Sequence, residues 1–254
     1  MSVDYTVAGE VATITLARPA AMNAIDGETT AQLRAAVDRF EADAEARVAI
    51  LTGEGRAFCA GMDLKAFAAG EGPAVLEGPG HFGGFVARER SKPVIAAVNG
   101  PALAGGLELV LACDLAIASS AATFGVPEVL RGIFAGAGAA IRLPRRIPRV
   151  HAMRLLLTGE IIDATRALRI GLVDEVVDPD ELSSSALAIA SAICRAAPLS
   201  VAATLRLGRL ASDRDEAELW EANAREWGAI VGSADAAEGP LAFAEKRPAV
   251  WTGR

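Results

Sequence analysis

The sequence predicts a mixed α/β fold, and three patterns favour it. Short apolar runs at 48–52 and 93–98, closed by Gly or by Asn-Gly, are typical of buried strands. Between 28 and 46, apolar residues recur at helical spacing. The 254 residues are 52% apolar and 22% charged, which suits a chain with one sizeable core rather than a disordered one. We therefore expect a globular protein in which strands and helices alternate.

The chain is expected to begin with a hairpin and a helix. Residues 5–7 and 11–16 alternate between apolar and polar types around Gly9, which predicts two paired strands. The amphipathic segment 28–46 follows, and Asp26 is placed to cap its first turn. The order strand, strand, helix is thus expected before the first buried strand at 48–52.

The same alternation continues through the middle of the chain. A helix is predicted to start at Gly105, a strand at 115–118, a helix at 151–157 and a strand at 173–177. The stretch 68–84 holds six glycines and two prolines, so it is expected to be a mobile loop over other structure. A plain surface loop is an equally good interpretation of that stretch.

The last part of the chain is expected to be helical. From Leu182 onward the pattern indicates helices, with breaks predicted at Pro198 and again at Gly239-Pro240. Large apolar faces there come from Trp220, Trp227, Phe243 and Trp251. These faces could serve contacts between subunits or packing onto the chain's own core.

Charge and cysteine content exclude several classes of protein. The net charge of −7 and the pI of about 5.0 repel nucleic acid and anionic membranes, so neither is an expected partner. Cys59, Cys113 and Cys194 are odd in number and form no CxxC pair, which argues against a disulfide framework and a structural zinc site. The N-terminus shows no export signal, and no window of 18 apolar residues occurs. A cytoplasmic protein without a membrane span is expected.

Common hydrolase and nucleotide motifs are missing. His81 and His151 have no partner at metal-ligand or triad spacing, and the HxxxH and GxSxG patterns do not occur. No GxxxxGK[ST] loop is present. The glycines at 136–138 lack the preceding strand and the third glycine of a dinucleotide-binding turn. We therefore expect no metal site and no nucleotide-hydrolase chemistry.

The segment 99–114 carries the strongest chemical signal. Gly105 and Gly106 stand at the start of a predicted helix, where unpaired N–H groups and the helix dipole favour negative charge. One turn later, Glu108 interrupts an apolar run. A carboxylate in such surroundings is either paired or kept for chemistry with a raised pKa.

Two further segments complete a candidate site. Residues 58–63 follow a strand and lead toward another helix start, so their small residues can bring a second backbone donor to a ligand. Residues 124–128 place Glu128 among apolar neighbours. Two carboxylates and two backbone donors suit proton transfer next to a carbonyl, because negative charge develops on the carbonyl oxygen during that step.

Several motifs occur together in a characteristic order. They are Arg18-Pro19, Asn23-Ala24, AFCAGMDLK at 57–65, KPVIAAVNG at 92–100, GGLELVLACD at 105–114, FGVPE at 124–128, GAGAAIRLP at 136–144, TGEIIDATRALRIGLVDEVV at 158–177 and FAEKRP at 243–248. Jointly, along nearly the whole chain, they resemble the crotonase, or enoyl-CoA hydratase/isomerase, family.

The resemblance implies a fold and an assembly. The fold would be an α/β, ClpP/crotonase-like spiral of repeated ββα units, with the active site within residues 1–195. Residues 196–254 would form a C-terminal helical region that makes trimers. The expected assembly is a homotrimer or a hexamer built as a dimer of trimers.

The resemblance also implies an activity. Glu108 would act as the base on water and Glu128 as the acid, while the N–H groups of Met62 and Gly105 would form an oxyanion hole. The product of a 2-enoyl-CoA would be a 3-hydroxyacyl-CoA. Alternatives are an enoyl-CoA isomerase, a hydratase or dehydratase of branched, aromatic or carnitinyl acyl-CoA, or a non-catalytic acyl-CoA-binding member.

Coenzyme A is expected as part of the substrate, with no separate cofactor. The residues that the resemblance implies for coenzyme and substrate contact are Ala21, Met22, Ala60, Asp63, Leu64, Lys65 and Lys246. In relatives, the tail that holds Lys246 can reach coenzyme bound in a neighbouring subunit. Ala104, Pro101, Met62 and the pair Phe134-Ala135 depart from common family residues, which leaves the acyl selectivity open.

Overall fold

The computed structural model describes residues 1–211 and 214–254, and within them the predicted alternation of strands and helices is present. The strands are β1 (Val3–Ala8), β2 (Val11–Leu16), β3 (Val48–Gly53), β4 (Val94–Val98), β5 (Ala102–Leu103), β6 (Leu115–Ser119), β7 (Thr123–Gly125), β8 (Ile161–Asp163) and β9 (Glu175–Val177). The helices are α1 (Gly27–Ala42), α2 (Leu64–Ala66), α3 (Gly72–Leu76), α4 (Gly105–Ala112), α5 (Ala139–Arg146), α6 (Arg149–Thr158), α7 (Ala164–Arg169), α8 (Leu182–Cys194), α9 (Pro198–Leu210), α10 (Glu216–Val231) and α11 (Ala234–Glu245). The α/β prediction is confirmed.

A six-stranded sheet forms the centre of the fold, in the order β1-β2-β3-β4-β6-β9. The hairpin β1–β2 is antiparallel and turns at Gly9, as predicted, whereas every other pair in this sheet is parallel. Successive residues of β3 point to opposite faces, so Val48 and Ile50 pack against α8 while Ala49 and Leu51 face the main core. Burial on both faces explains the unbroken apolar runs in the sequence.

A second, three-stranded sheet, β5-β7-β8, lies beside the main core. Strands β5 and β7 are parallel, and two single bridges extend the arrangement: Cys59 pairs with Ala102, and Ile25 pairs with Met62. Four segments that are distant in sequence therefore run side by side. Their ends carry all the residues of the candidate site except Lys246.

Helix α1 starts where the sequence predicts but ends earlier. Asp26 caps it by accepting a hydrogen bond from the Thr29 N–H, as expected. The helix stops at Ala42 rather than continuing to residue 46. Asp43 turns the chain by accepting from two following N–H groups, and the Lys92 ammonium donates to the carbonyl oxygens of Phe40 and Asp43 at the helix end. Lys92 is distant in sequence, so local periodicity does not reveal this stop.

The segment 68–84 was predicted to be a mobile loop over other structure or a plain surface loop, and both predictions are wrong in part. The segment contains a π-helical turn at Phe67–Glu71, the helix α3 and a 3₁₀ turn at Phe82–Gly84. Val75 and Phe82 are buried in the main core. Left-handed backbone at several glycines lets the chain turn sharply enough to place an aromatic ring inside.

The C-terminal helices contribute few residues to the core. Helix α9 starts at Pro198 as predicted, but the predicted break at Gly239-Pro240 is wrong because both residues lie within α11. The interruption falls instead at Ser233, whose hydroxyl accepts from the Ala236 N–H and caps α11. The side chains of Trp220, Trp227 and Phe243 are 63%, 66% and 87% exposed. The division of the chain at residue 195 and the role of this region in assembly stay predictions.

Across the described ranges, no single helix has the length and apolar character needed to cross a membrane. One strongly bent pair, Pro179–Cys194 with Pro198–Leu210, meets the criteria of length and composition when taken together.

Candidate active site

Two parallel strands bring the two candidate glutamates to one edge of the second sheet. Strands β5 and β7 are aligned so that Leu103 pairs with Gly125, and the Ala104 N–H donates to the Gly125 carbonyl at 2.9 Å. Helix α4, with Glu108 in its first turn, follows β5 directly. The 3₁₀ helix Pro127–Arg131, with Glu128, follows β7. The carboxyl ends of parallel strands meet at the same edge, which places both acids in one region.

Glu108 is a buried carboxylate with an amide partner. Its side chain belongs to a residue only 3% exposed, and Oε1 accepts a hydrogen bond from the Ala139 N–H at 3.0 Å. Ala139 is the first residue of α5, where backbone N–H groups have no partner within the helix. The positive end of that helix therefore faces the carboxylate and favours its ionised form.

The pKa of Glu108 reflects competing effects. Burial raises it from 4.5 to about 7, and the negative charge of Glu128 adds to the increase. The N–H groups of Ala139 and Ala137 and the cation of Arg142 act in the opposite direction. The effect of Glu128 shows that the two carboxyl groups lie within electrostatic reach. A carboxyl with a pKa near neutrality can accept and release a proton under ordinary conditions.

Glu128 is also buried, but it has a different hydrogen-bonding environment. The residue is 8% exposed, and Oε2 has no hydrogen-bond partner among the described residues. Burial raises the pKa of Glu128, and its own backbone N–H opposes this only in part. A protonated carboxyl is the cheaper state for an oxygen without a donor nearby. The carboxyl of Glu128 is therefore easier to protonate than that of an exposed glutamate.

The two predicted backbone donors belong to adjacent segments. A Cβ placed on Gly61 would lie 3.0 Å from the Gly105 nitrogen, so the chain around Met62 passes directly beside the start of α4. Gly61 has a φ of +95°, which an L-residue rarely adopts. Within the described residues, the N–H groups of Met62 and Gly105 donate no hydrogen bond. Two unpaired donors at one place can stabilise a single oxyanion.

Close contacts explain why Gly105 and Gly106 have no side chains. A Cβ on Gly105 would overlap the ring of Phe82, and one on Gly106 would overlap the carbonyl oxygen of Cys59. The sequence does not predict Phe82 as a residue of this site, because it stands among glycines in a segment that resembles a loop. The ring is nevertheless buried and lies against Gly105, whose N–H is a predicted oxyanion donor.

Ala104 holds a strained backbone immediately before the predicted oxyanion donor. Its φ of +51° and ψ of −126° are unusual for a residue with a Cβ. The conformation directs the Ala104 N–H to β7 and lets α4 start at the next residue. The sequence departure from glycine at this position therefore carries a conformational cost.

We expect Ala104→Gly to raise the free energy of unfolding by about 1 kcal/mol, because glycine adopts this backbone without strain. Urea denaturation followed by circular dichroism measures the change. Ala102→Gly, in a strand residue with ordinary extended backbone, is the matched control and is expected to destabilise the protein. Equal destabilisation by both substitutions would contradict the strain at Ala104.

The structure groups six of the residues that were predicted to contact coenzyme and substrate. The Ala60 N–H donates to the Met22 carbonyl at 3.0 Å, and the Asp63 N–H donates to the Ile25 carbonyl at 2.9 Å. The members of the group are Ala21, Met22, Ala60, Asp63, Leu64 and Lys65. The last two begin α2 and are exposed, so they border the open side of the group.

The side chain of Asp63 holds this group together. Its carboxylate accepts from the N–H groups of Lys65 and Ala66 and pairs with the Arg18 guanidinium at 3.1 Å. Arg18 also pairs with Asp26 at 2.9 Å. Burial alone would raise the pKa of Asp63, but the Ala66 N–H, Arg18 and the Lys65 N–H together lower it. The carboxylate thus stabilises the local structure at the start of α2.

Lys246 is the predicted site residue that the structure does not join to the others. It follows the last residue of α11 in a left-handed conformation and is exposed. Among the described residues, no hydrogen bond or ion pair connects it to Glu108 or Glu128. Its contact with coenzyme stays a prediction.

Two surface pockets lie outside this site. One, of about 310 Å³, is lined by residues that include Glu10, Ser191 and Cys194; the other, of about 290 Å³, includes Asp114. The carboxylate of Asp114 is engaged by the guanidinium of Arg209 through two hydrogen bonds, and burial raises the pKa of Cys194. Within the part of the chain that the structure describes, neither pocket therefore offers a free reactive side chain like those of Glu108 and Glu128, and the candidate active site stays at these two glutamates. Among the described residues, no cluster of three His, Cys, Asp or Glu side chains could hold a metal ion.

Comparison with known proteins identifies the family. The sequence profile of the enoyl-CoA hydratase/isomerase family matches residues 6–254. A carnitinyl-CoA dehydratase of Proteus mirabilis (strain HI4320) is 43% identical over 259 aligned residues, which cover 100% of this chain and 99% of the relative.

Solved structures agree with this result. Enoyl-CoA hydratase EchA1 from Mycobacterium marinum superimposes with a TM-score of 0.95 at 45% identity, covering 100% of this chain and 99% of the other. A carnitinyl-CoA hydratase from Mycobacterium avium gives a TM-score of 0.77 at 44% identity, with the same coverage. The resemblance drawn from the motifs and the crotonase fold class are confirmed. The chain belongs to the enoyl-CoA hydratase/isomerase family, whose members act on coenzyme A thioesters.

Proposed function

We propose that the protein is a hydro-lyase that adds water across the 2,3 double bond of a 2-enoyl-CoA, giving a 3-hydroxyacyl-CoA. The observation that carries this proposal is the pair of buried carboxyl groups with unequal surroundings. Glu108 accepts a backbone N–H, whereas one oxygen of Glu128 has no donor among the described residues. One group is therefore suited to act as a base and the other as an acid.

Glu108 starts the reaction. Its carboxylate removes a proton from water, the water oxygen bonds to C3 of the acyl group, and the double-bond electrons move toward the thioester carbonyl. Negative charge then develops on the thioester oxygen. The N–H groups of Met62 and Gly105 stabilise that charge, because they donate no other hydrogen bond among the described residues and lie on adjacent segments.

Glu128 completes the reaction. Its carboxyl proton passes to C2, the enolate electrons form the new C–H bond, and the thioester carbonyl is restored. The hydroxyl group remains on C3. The same steps in reverse remove water from a 3-hydroxyacyl-CoA, so hydratase and dehydratase activity belong to one site.

Coenzyme A enters as part of the substrate, and no separate cofactor takes part in these steps. The group formed by Ala21, Met22, Ala60, Asp63, Leu64 and Lys65 would line its binding site. The exposed ammonium of Lys65 suits a phosphate of the coenzyme. We place Lys246 at coenzyme bound to a neighbouring subunit of a homotrimer or a hexamer. The exposed faces of Trp220, Trp227 and Phe243 support such an assembly.

The second candidate is a hydratase or dehydratase specialised for carnitinyl-CoA. It is favoured by the curated relatives of that name, which align with the whole chain at 42–43% identity. An enoyl-CoA isomerase is less well supported, because this chain keeps two buried acids where one suffices to move a proton. The unpaired cysteines and the acidic surface suit a reducing, cytoplasmic location without nucleic acid or membrane partners.

A substrate comparison tests the proposal. Crotonyl-CoA and the trimethylammonium-bearing 2-enoyl-CoA formed by dehydration of carnitinyl-CoA are each mixed with enzyme, and loss of the conjugated thioester absorbance is followed. Rapid loss with crotonyl-CoA supports a general hydratase, and loss confined to the trimethylammonium substrate supports the second candidate. Failure with both, together with conversion of a 3-enoyl-CoA, would overturn hydration in favour of isomerisation.

The pH dependence of hydration should report the base. Since Glu108 must be ionised to accept a proton and its pKa is about 7, we expect kcat/KM to fall as the pH decreases through about 7. The rate should lose roughly tenfold for each further pH unit on that acid limb. Stopped-flow rates with crotonyl-CoA at constant ionic strength measure the profile. An acid limb centred near the ordinary glutamate pKa would contradict the burial effect.

A further inference from the structure

Arg142 joins two parts of the site that are far apart in sequence. It lies on α5, and its Nη2 donates to the Val86 carbonyl at 2.5 Å. Its Nη1 is 3.5 Å from the Ala137 carbonyl, and the guanidinium lies against Gly138, where a Cβ would overlap it. One rigid fork therefore contacts the segment before α5 and the segment after Phe82.

The segment that Arg142 holds is the one that contacts Glu108. The Ala139 N–H donates to Glu108 Oε1, and the Ala137 N–H also favours the ionised carboxylate. Between Ala137 and Ala139, Gly138 has a φ of +121°, a backbone conformation that is strained for any residue with a Cβ. Because glycine is sterically less restricted than other residues, a contact from outside the segment restricts where these donors lie.

The other end of the contact lies in the wall of the site. Val86 is buried and follows the turn Phe82–Gly84, whose aromatic ring packs on Gly105. Any movement of this segment relative to α5 would change both the Glu108 donors and the surface beside the predicted oxyanion donor. The Arg142 guanidinium contacts both of them.

We propose that Arg142 is a positioning residue for Glu108, because its guanidinium fastens the donor-bearing segment 137–139 to the Val86 carbonyl. The inference rests on the proposed function only in that Glu108 acts as the base. Arg142 itself takes no part in bond formation. Its role is to keep the Glu108 carboxylate in one orientation and ionised.

The charges around the two groups set the sign of the expected effect. Glu108 is influenced by Glu128 and Arg142, and Arg142 is in turn influenced by Arg145 and Cys113. The cation of Arg142 lowers the pKa of Glu108. Loss of that cation should therefore move the acid limb of the rate profile to higher pH.

Three variants separate positioning from general damage. Arg142→Met removes the cation and the fork, and Arg142→Lys keeps the cation but loses the fork. Arg146→Met is the matched control, because Arg146 lies on the same helix and also donates to a backbone carbonyl, that of Cys113. For each variant, kcat, KM and the pH profile are measured with the substrate that the wild-type enzyme converts fastest.

A second readout does not depend on turnover. Carboxyl ¹³C NMR of glutamate-labelled protein follows the titration of Glu108, and its signal is assigned by its loss in Glu108→Gln. If the wild-type protein hydrates no substrate, the proposed function fails, but this titration still decides whether Arg142 controls Glu108.

We expect Arg142→Met to lower kcat by the order of 10²-fold with little change in KM, the cost of misplacing a reacting group. Its acid limb and the Glu108 titration should both move to higher pH. Arg142→Lys should lose part of kcat while its titration stays near that of the wild type, and Arg146→Met should match the wild type in both. A wild-type titration in Arg142→Met, or equal losses in Arg142→Met and Arg146→Met, would overturn the proposal.

Discussion

Replacing Glu128 by Gln should lower kcat for hydration by about 10²–10⁴-fold, the usual contribution of one general acid or base. Glutamine has the same shape but no carboxyl proton to deliver to C2. Burial of Glu128 without a donor at Oε2 among the described residues raises its pKa, so its carboxyl binds a proton more readily than an exposed glutamate does. Single-turnover rates with crotonyl-CoA measure the loss directly.

Glu108→Gln is expected to lower kcat by a similar factor, because glutamine cannot accept the proton from water. The exposed Glu181→Gln is the matched control and should keep the wild-type rate. Because both acids serve one reaction, the double variant should be little worse than either single variant. Turnover close to that of the wild type in Glu108→Gln or Glu128→Gln would remove that residue from the mechanism.

The free energy of unfolding, measured as a function of pH, checks whether Glu108→Gln folds normally. The folded-state pKa of Glu108, about 7, lies above the ordinary glutamate value of 4.5, so the folded protein binds the proton more tightly than the unfolded chain. Stability is therefore lost as the pH rises from 4.5 through about 7, by up to roughly 3 kcal/mol. The substitution removes this cost, and we expect a higher free energy of unfolding in alkaline buffer than for the wild type.

Gly105→Ala should lower kcat by about 10²–10³-fold, the usual effect of losing one oxyanion donor. The new methyl group would overlap the ring of Phe82, so either the ring or the start of α4 must shift. A shift of α4 moves both the Gly105 N–H and Glu108, which follows in the same turn. Stopped-flow hydration rates and the thermal unfolding midpoint are measured together.

Phe82→Leu tests the cause of that loss. Leucine lacks the ring atoms nearest to the new methyl group, so Gly105→Ala with Phe82→Leu should recover part of kcat relative to Gly105→Ala alone. Gly106→Ala is the contrasting case, because its methyl group would overlap the backbone oxygen of Cys59, which cannot be trimmed. If the double variant recovers no kcat, overlap with the Phe82 ring is not the cause of the loss in Gly105→Ala.

Local patterns were sufficient for the elements whose causes are local. The buried strands β3 and β4 follow from short apolar runs, and the start of α1 follows from Asp26, whose carboxylate accepts from the Thr29 N–H. The start of α9 follows from Pro198, which fits the first turn of a helix. Neighbouring residues alone determine each of these features, so the sequence is enough to predict them.

Other features depend on contacts between distant residues. Helix α1 ends at Ala42 because Lys92, which follows β3 by many residues, donates to the carbonyl oxygens at the helix end. The glycine-rich segment 68–84 enters the core because the ring of Phe82 packs against Gly105, which has no side chain there. Pro240 is accommodated within α11, on an exposed position, while Ser233 caps the helix start. The local composition of the chain does not predict these contacts.

The candidate site divides in the same way. By itself, the sequence determined that Glu108 and Glu128 are unusual, because a carboxylate among apolar residues is costly and needs a reason. Only the tertiary structure decided which groups surround them: the Ala139 N–H at Glu108, the unpaired oxygen of Glu128, and the contact of Arg142 with Val86. A residue's type is local information, whereas its pKa and orientation depend on groups that the fold brings within a few ångströms.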